Sequence, residues 1–160
     1  MAVLDAPSFK DPAVVIGGPG LIVLSYLYTF GAVLAAADYI RYFKLPKGAR
    51  LAPGGWFIET AADLDTSTNL TLSLQVTDLT TTKTIISAST LGQGAAGIVQ
   101  EIDAAGNGAG QLAWRAYVTT SDDFFVRLLV AAGPSTAATG TIHVGCSYTM
   151  SAVGGDIVTP

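Results

Sequence analysis

Between residues 68 and 77 apolar and polar side chains alternate without a break. Leu70, Leu72, Leu74 and Val76 fall on one side, and Thr71, Ser73, Gln75 and Thr77 on the other. Strict alternation is the pattern of a β-strand with one face on a core and one in water, because successive side chains point to opposite faces. A second alternating run, Ile142, Val144, Cys146, Tyr148 and Met150, predicts the last strand over residues 141–150. Residues 112–118 repeat the pattern, with Leu112, Trp114, Ala116 and Val118 directed inward. Residues 124–131 are largely apolar on both sides, as in a central or interface strand.

Shorter strands are expected at residues 83–88 and 98–102, and a first strand of the body at residues 21–30, where Tyr26, Tyr28 and Thr29 alternate. Residues 31–37 read as a helical turn or as a continuation of that strand. The aromatic and β-branched run Tyr39, Ile40, Arg41, Tyr42 and Phe43 is strand-like. Pro46, which has no N–H for a ladder, and Gly48, which tolerates positive φ, then turn the chain before Trp56, Phe57 and Ile58 resume as strand. A polar loop over residues 60–67, glycine-rich loops at 92–97 and 104–110, Asp122-Asp123 and Gly133-Pro134 separate the remaining strands.

About eight or nine short strands at roughly ten-residue spacing, with almost no helix, predict an all-β sandwich or barrel. A jelly-roll-like antiparallel β-sandwich is favoured over an immunoglobulin-like sandwich, whose paired cysteines are missing. Residues 1–20 carry Pro7, Pro12, Pro19 and a Gly17-Gly18-Pro19-Gly20 turn, which suits neither helix nor internal strand. They read as an extended N-terminal arm held by another subunit or by the surface beneath it, ahead of a sandwich domain over residues 21–160. Residues 151–160 read as a loose tail.

Composition narrows the function. Half of the 160 residues are hydrophobic and only 12% are charged, about half the usual charged fraction. Such a chain is expected to live in contact with others. A net charge of −4 and a pI near 4.6 argue against a nucleic-acid partner. Residues 12–37 are uncharged, long enough for a membrane span. The Gly-Gly-Pro-Gly interruption, the acidic flanks and the strand-like alternation argue against one, and no basic region precedes the apolar run to make a secretory signal.

Charge is concentrated in one place. Arg41, Lys44, Lys47 and Arg50 are four of the eight basic residues. A fixed partner or a neighbouring subunit is one reading of the cluster; a solvated turn that keeps a sheet edge soluble is the other.

No constellation carries catalysis. Gly92-Gln93-Gly94-Ala95-Ala96-Gly97 has dinucleotide-binding spacing, but it leads into a strand rather than the helix whose N-terminus would face a pyrophosphate, so it reads as a hairpin loop. His143, the only histidine, points away from the core and lacks a carboxylate to orient it. Cys146 falls on the inward side as a small buried hydrophobe, and with one cysteine there is no internal disulfide. Asp63 with Asp65, and Asp122 with Asp123, could bind calcium, but their spacing fits no regular loop and turns favour Asp for backbone reasons. Asn69-Leu70-Thr71 spells a glycosylation sequon that means nothing without a secretory route. The expectation is no enzyme, no cofactor and no metal.

The phrase Leu45-Pro46-Lys47-Gly48-Ala49-Arg50, then Trp56-Phe57-Ile58-Glu59-Thr60, a loop with Asp63 to Ser67, and Leu70-Thr71-Leu72-Ser73-Leu74 resembles the head decoration, or cement, proteins of tailed bacteriophages. It covers residues 38–77 well and the rest in general style. The long N-terminal segment departs from it. The resemblance implies a non-enzymatic virion protein, often a trimer, that binds the outside of the capsid shell and reinforces contacts between capsomers. Its partner would be the major capsid protein, met by Arg41, Lys44, Lys47 and Arg50 and by an arm carrying Pro12 and Pro19. A tail or fibre component, or a glycan-binding jelly roll, is the alternative; it needs an exposed aromatic platform, for which Trp56, Trp114 and Tyr117 are the candidates. A membrane-anchored protein would need residues 21–37 to be helical.

Overall fold

The computed structural model describes residues 1–9, 14–16, 21–30, 34–61, 64, 69–101, 114–115, 117–133 and 140–150. Eleven strands run through them: β1 (Val3–Asp5), β2 (Val14–Ile16), β3 (Leu21–Phe30), β4 (Tyr39–Lys44), β5 (Ala49–Leu51), β6 (Phe57–Thr60), β7 (Thr71–Thr77), β8 (Thr82–Ser89), β9 (Gly97–Gln100), β10 (Phe125–Ala132) and β11 (Gly140–Met150). The helical elements among these residues are 3₁₀ turns, at Pro7–Phe9 and at Trp114 and Arg115.

The strands form two sheets, ordered β1-β4-β10-β7-β8 and β2-β3-β11-β6-β9, with β5 pairing the far end of β11. Eight strands remain when the three-residue strands β1, β2 and β5 are set aside. The first of these pairs the last, β3 with β11, and the second pairs the seventh, β4 with β10. The third pairs the sixth, β6 with β9, and the fourth the fifth, β7 with β8. Nested antiparallel pairing of eight strands over two sheets is a jelly roll. The chain is an all-β sandwich, and the favoured of the two expected architectures is the one present.

Alternation explains the core. Ile40 and Tyr42 on β4, Ile58 on β6, Leu72, Leu74 and Val76 on β7, Val126 and Leu128 on β10, and Ile142 and Val144 on β11 are fully buried between the sheets. Each such side chain contributes about 1.5–3 kcal/mol by leaving water. Tyr42 spans the layer and donates to the Ile142 carbonyl at 3.2 Å, which satisfies its hydroxyl.

Four sequence expectations change. The polar side of β7 is buried rather than wet, because β10 and β8 flank it and their side chains cover it. It survives burial because it is bonded: Ser73 Oγ accepts the Ala88 N–H at 2.9 Å, Gln75 donates to Thr84 Oγ1 at 3.3 Å, and Thr77 Oγ1 donates to the Thr81 carbonyl at 2.9 Å. The described residues of 112–118 do not form the alternating strand. Trp114 and Arg115 sit in a 3₁₀ turn closed by Tyr117 N–H to the Trp114 carbonyl at 2.9 Å, and Val118 makes a single bridge to Arg50; Leu112 and Ala116 lie outside the described residues. Met150, assigned to the inward side of the last strand, is exposed at the strand end. The glycine loop before β9 is not a hairpin, since β8 and β9 belong to different sheets.

The central stretch is also a crossing. β4 lies in the first sheet while β5 and β6 lie in the second, so the turn through Lys47 and Gly48 carries the chain around the sandwich edge. Gly48 sits at φ +83°, in the left-handed region that disfavours other residues. Residues 21–30 are strand rather than helix, and no described helix is long and apolar enough to cross a membrane. The loop at 104–110 and the tail at 151–160 lie outside the described residues.

Candidate functional site

The turn expected to present four cations together divides them. Arg41 points from the outer side of β4 onto the N-terminal segment: Nε donates to Asp5 Oδ1 at 2.6 Å and Nη2 to Oδ2 at 2.8 Å. This bond pushes the Arg41 guanidinium further above its ordinary value. Its carbon lies 4.4 Å from the centre of the Phe9 ring and 5.8 Å from that of Phe125. Lys44 Nζ reaches the same Phe9 ring at 5.6 Å but stays exposed. Lys47 is exposed at the turn, where its backbone N–H is held by Asp122 Oδ1 at 2.7 Å. Arg50 is exposed on β5, in the other sheet.

The N-terminal segment is the partner Arg41 has found. β1 pairs parallel with β4, Val3 opposite Tyr39 and Asp5 opposite Arg41. The chain then turns at Ala6, which is buried, and Phe9 packs edge-on against Phe125 at 6.0 Å. Asp38 ties down the start of the segment: one oxygen accepts the Ala2 N–H, the other the Ala35 N–H at 2.9 Å. Those two bonds hold the Asp38 carboxyl below the usual range. β2 adds to β3 at the edge of the second sheet. Residues 3–9 and 14–16 of the N-terminal twenty thus lie on the chain's own body; Pro12 and Pro19 lie outside the described residues.

The outer side of the first sheet also holds residues that the sequence did not single out. Arg127 Nε donates to Gln75 Oε1 at 2.9 Å, and its guanidinium lies 5.1 Å from the Tyr39 ring. Burial pushes the Arg127 guanidinium down from its ordinary value. An arginine inside an otherwise apolar strand was the signal that could have marked it.

The aromatic platform does not form. Trp56 and Trp114 are buried and meet each other at 5.8 Å, and Trp56 Nε1 donates to the Ala52 carbonyl at 2.7 Å. Tyr117 is half-buried, with Lys83 Nζ 4.8 Å from its ring. A small cleft of about 240 Å³ lies beside Trp56, lined by Val23, Phe57 and Glu101 among others. Glu101, expected inside a strand, is buried just past the end of β9 and accepts the Trp56 N–H at 2.9 Å.

His143 does have a carboxylate neighbour. Register places Glu59 opposite it on β6, and His143 Nδ1 lies 2.9 Å from Glu59 Oε2. The two are 84 residues apart, so the spacing of face-mates along β11 could not show it. Phe57 stands edge-on to the imidazole at 4.9 Å. With both groups on a solvent-facing sheet surface, this is a cross-strand carboxylate–imidazole contact rather than a nucleophile and its base. Cys146 is fully buried, and desolvation pushes its thiol far above the ordinary range. Among the described residues no group of His, Cys, Asp and Glu could hold a metal ion; Asp63 and Asp65 lie outside them.

No protein-family model matches the sequence, and no curated protein matches it. Solved structures do. A chain of the cyanophage Pam1 capsid asymmetric unit is similar over 87% of this chain and 92% of its own length, at 25% identity and a TM-score of 0.58. A chain of the capsid of Ralstonia phage GP4 has the same fold over 95% of this chain and all of its own length, at 23% identity and a TM-score of 0.61. The chain is similar, along nearly its whole length, to proteins found in phage capsids.

Proposed function

We propose that this chain is a non-enzymatic structural protein of a tailed-phage virion, which sits on the outside of the capsid and strengthens contacts between capsomers. The observation that carries the reading is the near full-length likeness to a chain of the Pam1 capsid. The residues support it: Asp38, Arg41, Glu101 and Arg127 serve packing and pairing, and the chain is low in charge for its size.

In this reading the major capsid protein is the partner. Lys44, Lys47 and Arg50 meet acidic capsid surface, while Arg41 acts indirectly by fixing the N-terminal segment. That segment works as an added edge. β1 and β2 become the outermost strands of their sheets on the same side of the sandwich, and the backbone groups they leave open can pair a neighbouring strand. The protein acts as an oligomer, for which the resemblance of residues 38–77 implies a trimer, and repetition over the shell makes weak individual contacts collectively strong.

The test uses particles stripped of the protein. The full-length chain should co-sediment with them and raise their resistance to heat, and Lys44→Glu with Lys47→Glu and Arg50→Glu should weaken binding at least tenfold while leaving the fold intact. No co-sedimentation by the full-length chain at any concentration up to saturation of the shell would sink the reading.

A further inference from the structure

The outer surface of the second sheet carries one cross-strand row whose order reads as its own complement. Strand register sets Leu27 on β3 opposite His143 on β11, His143 opposite Glu59 on β6, and Glu59 opposite Ile98 on β9. Cross-strand partners share a face, so the row runs apolar, cationic-capable, anionic, apolar over about 14 Å. Leu27 is 57% exposed and Ile98 51%, among the most exposed large hydrophobic side chains described.

The rest of that surface is nearly uncharged: Arg50 on β5, opposite Thr149, is the other charged side chain on its described strands. The other outward positions on β3, β11, β6 and β9 are Leu, Val, Ser, Thr, Gly, Phe and Gln. Phe57 lies down across Gly145, where a Cβ would fall 2.1 Å from its ring, so the ring adds area without adding height. A sheet face of small and apolar side chains, with exposed Leu27 and Ile98 and a single carboxylate–imidazole pair at its centre, has the make-up of an interface rather than of a densely charged, solvated sheet.

We propose that this face pairs with the same face of a second copy of the chain. A twofold axis running along the strands between β11 and β6 lays the row over its own reverse. Leu27 then meets Ile98 of the second copy and His143 meets Glu59, and each contact occurs twice, as an isologous interface requires. Complementarity selects the second copy as occupant, because reversal matches every position of the row with a suitable partner. The contact does not depend on the capsid reading. A trimer built through another surface would be doubled by it.

Mass in solution tests the idea, with circular dichroism to show that each variant stays folded. The wild-type chain should form an even-numbered oligomer by light scattering and sedimentation equilibrium. Glu59→Lys and His143→Glu should each halve the mass, since the first removes the carboxylate that faces His143 across the axis and the second sets two carboxylates against one another. Mixing the two variants should restore it. The introduced lysine of one copy then faces the introduced glutamate of the other, and the remaining His143 faces the remaining Glu59. Leu27→Asp should halve the mass without rescue by either variant, and it stands in for the charge variants if those fail to fold. A wild-type monomer or odd-numbered oligomer overturns the proposal, as does an unchanged mass in folded variants or a mixture that does not recover. Variants that keep wild-type mass but lose particle binding would overturn it too, by assigning the face to another chain.

Discussion

Arg41 grips Asp5 through two parallel N–H···O bonds, at 2.6 and 2.8 Å, while the same guanidinium rests 4.4 Å above the ring of Phe9. One side chain thereby clamps the N-terminal segment at two points, one polar and one aromatic. Arg41→Ala should free residues 1–9 without unfolding the sandwich, at a cost of about 1–2 kcal/mol for a partly exposed ion pair and cation–π contact together. Limited proteolysis would show it, as faster cleavage within the first ten residues and an otherwise unchanged digest. An unchanged digest would mean that β1 pairing alone holds the segment.

Acid should release the same segment by a different route. Asp38 accepts the N–H groups of Ala2 and Ala35, which lowers its carboxyl pKa in the folded chain. A depressed folded pKa contributes stability that is complete above the unfolded value, near pH 4, and is lost as pH falls through the folded value. The protection of the Ala35 amide, measured as its exchange rate relative to the intrinsic rate at each pH from 6 downward, should fall only below about pH 4. Asp38→Asn should remove that acid dependence and leave the Ala35 amide poorly protected throughout.

Trp56 anchors the other side of the core, bonded to Ala52 and packed against Trp114. Trp56→Ala should cost about 3–5 kcal/mol, read as a lower midpoint in urea with an unchanged slope. Trp114 fluorescence should shift to longer wavelength as water reaches the vacated space.

Gly145 is required by a close approach rather than by its backbone angle. A methyl there would meet Phe57 at 2.1 Å and the Gly55 carbonyl at 2.8 Å. Gly145→Ala should destabilise by about 1–3 kcal/mol. Adding Phe57→Ala should recover part of the loss, which a thermal-melt double-mutant cycle would measure.

Cys146 should be unreactive while the chain is folded, because burial holds its thiol protonated well above neutral pH. Iodoacetamide at pH 8 should label it only at the rate of unfolding, and fully in denaturant.

The periodic strands were legible from sequence and the pairings were not. β3, β7, β8, β10 and β11 fall close to their alternating or apolar runs because burial on one or both faces imposes the period. Residues 112–118 mimic that period, yet Trp114 and Arg115 turn as 3₁₀, where Trp114 packs against Trp56 and tertiary packing outweighs local propensity. The four-cation cluster was readable as composition, but not the fact that Arg41 is taken up by Asp5, a partner from 36 residues earlier. His143 and Glu59 were each visible, and only register brings them together. Sequence spacing reports which face a residue takes on its own strand; it carries no information about the strand beside it.

Nested pairing also sets the order of events during synthesis. β3 is made among the first strands, yet its long antiparallel partner on the body side is β11, more than a hundred residues later. At roughly 5–20 residues per second, the ribosome holds an unsealed, strand-rich chain for many seconds before the closing strand exists. Non-local pairing of this kind is slow even once complete. The protein therefore becomes a usable part only after release, and copies still being made carry open strand edges that crowding would turn toward aggregation.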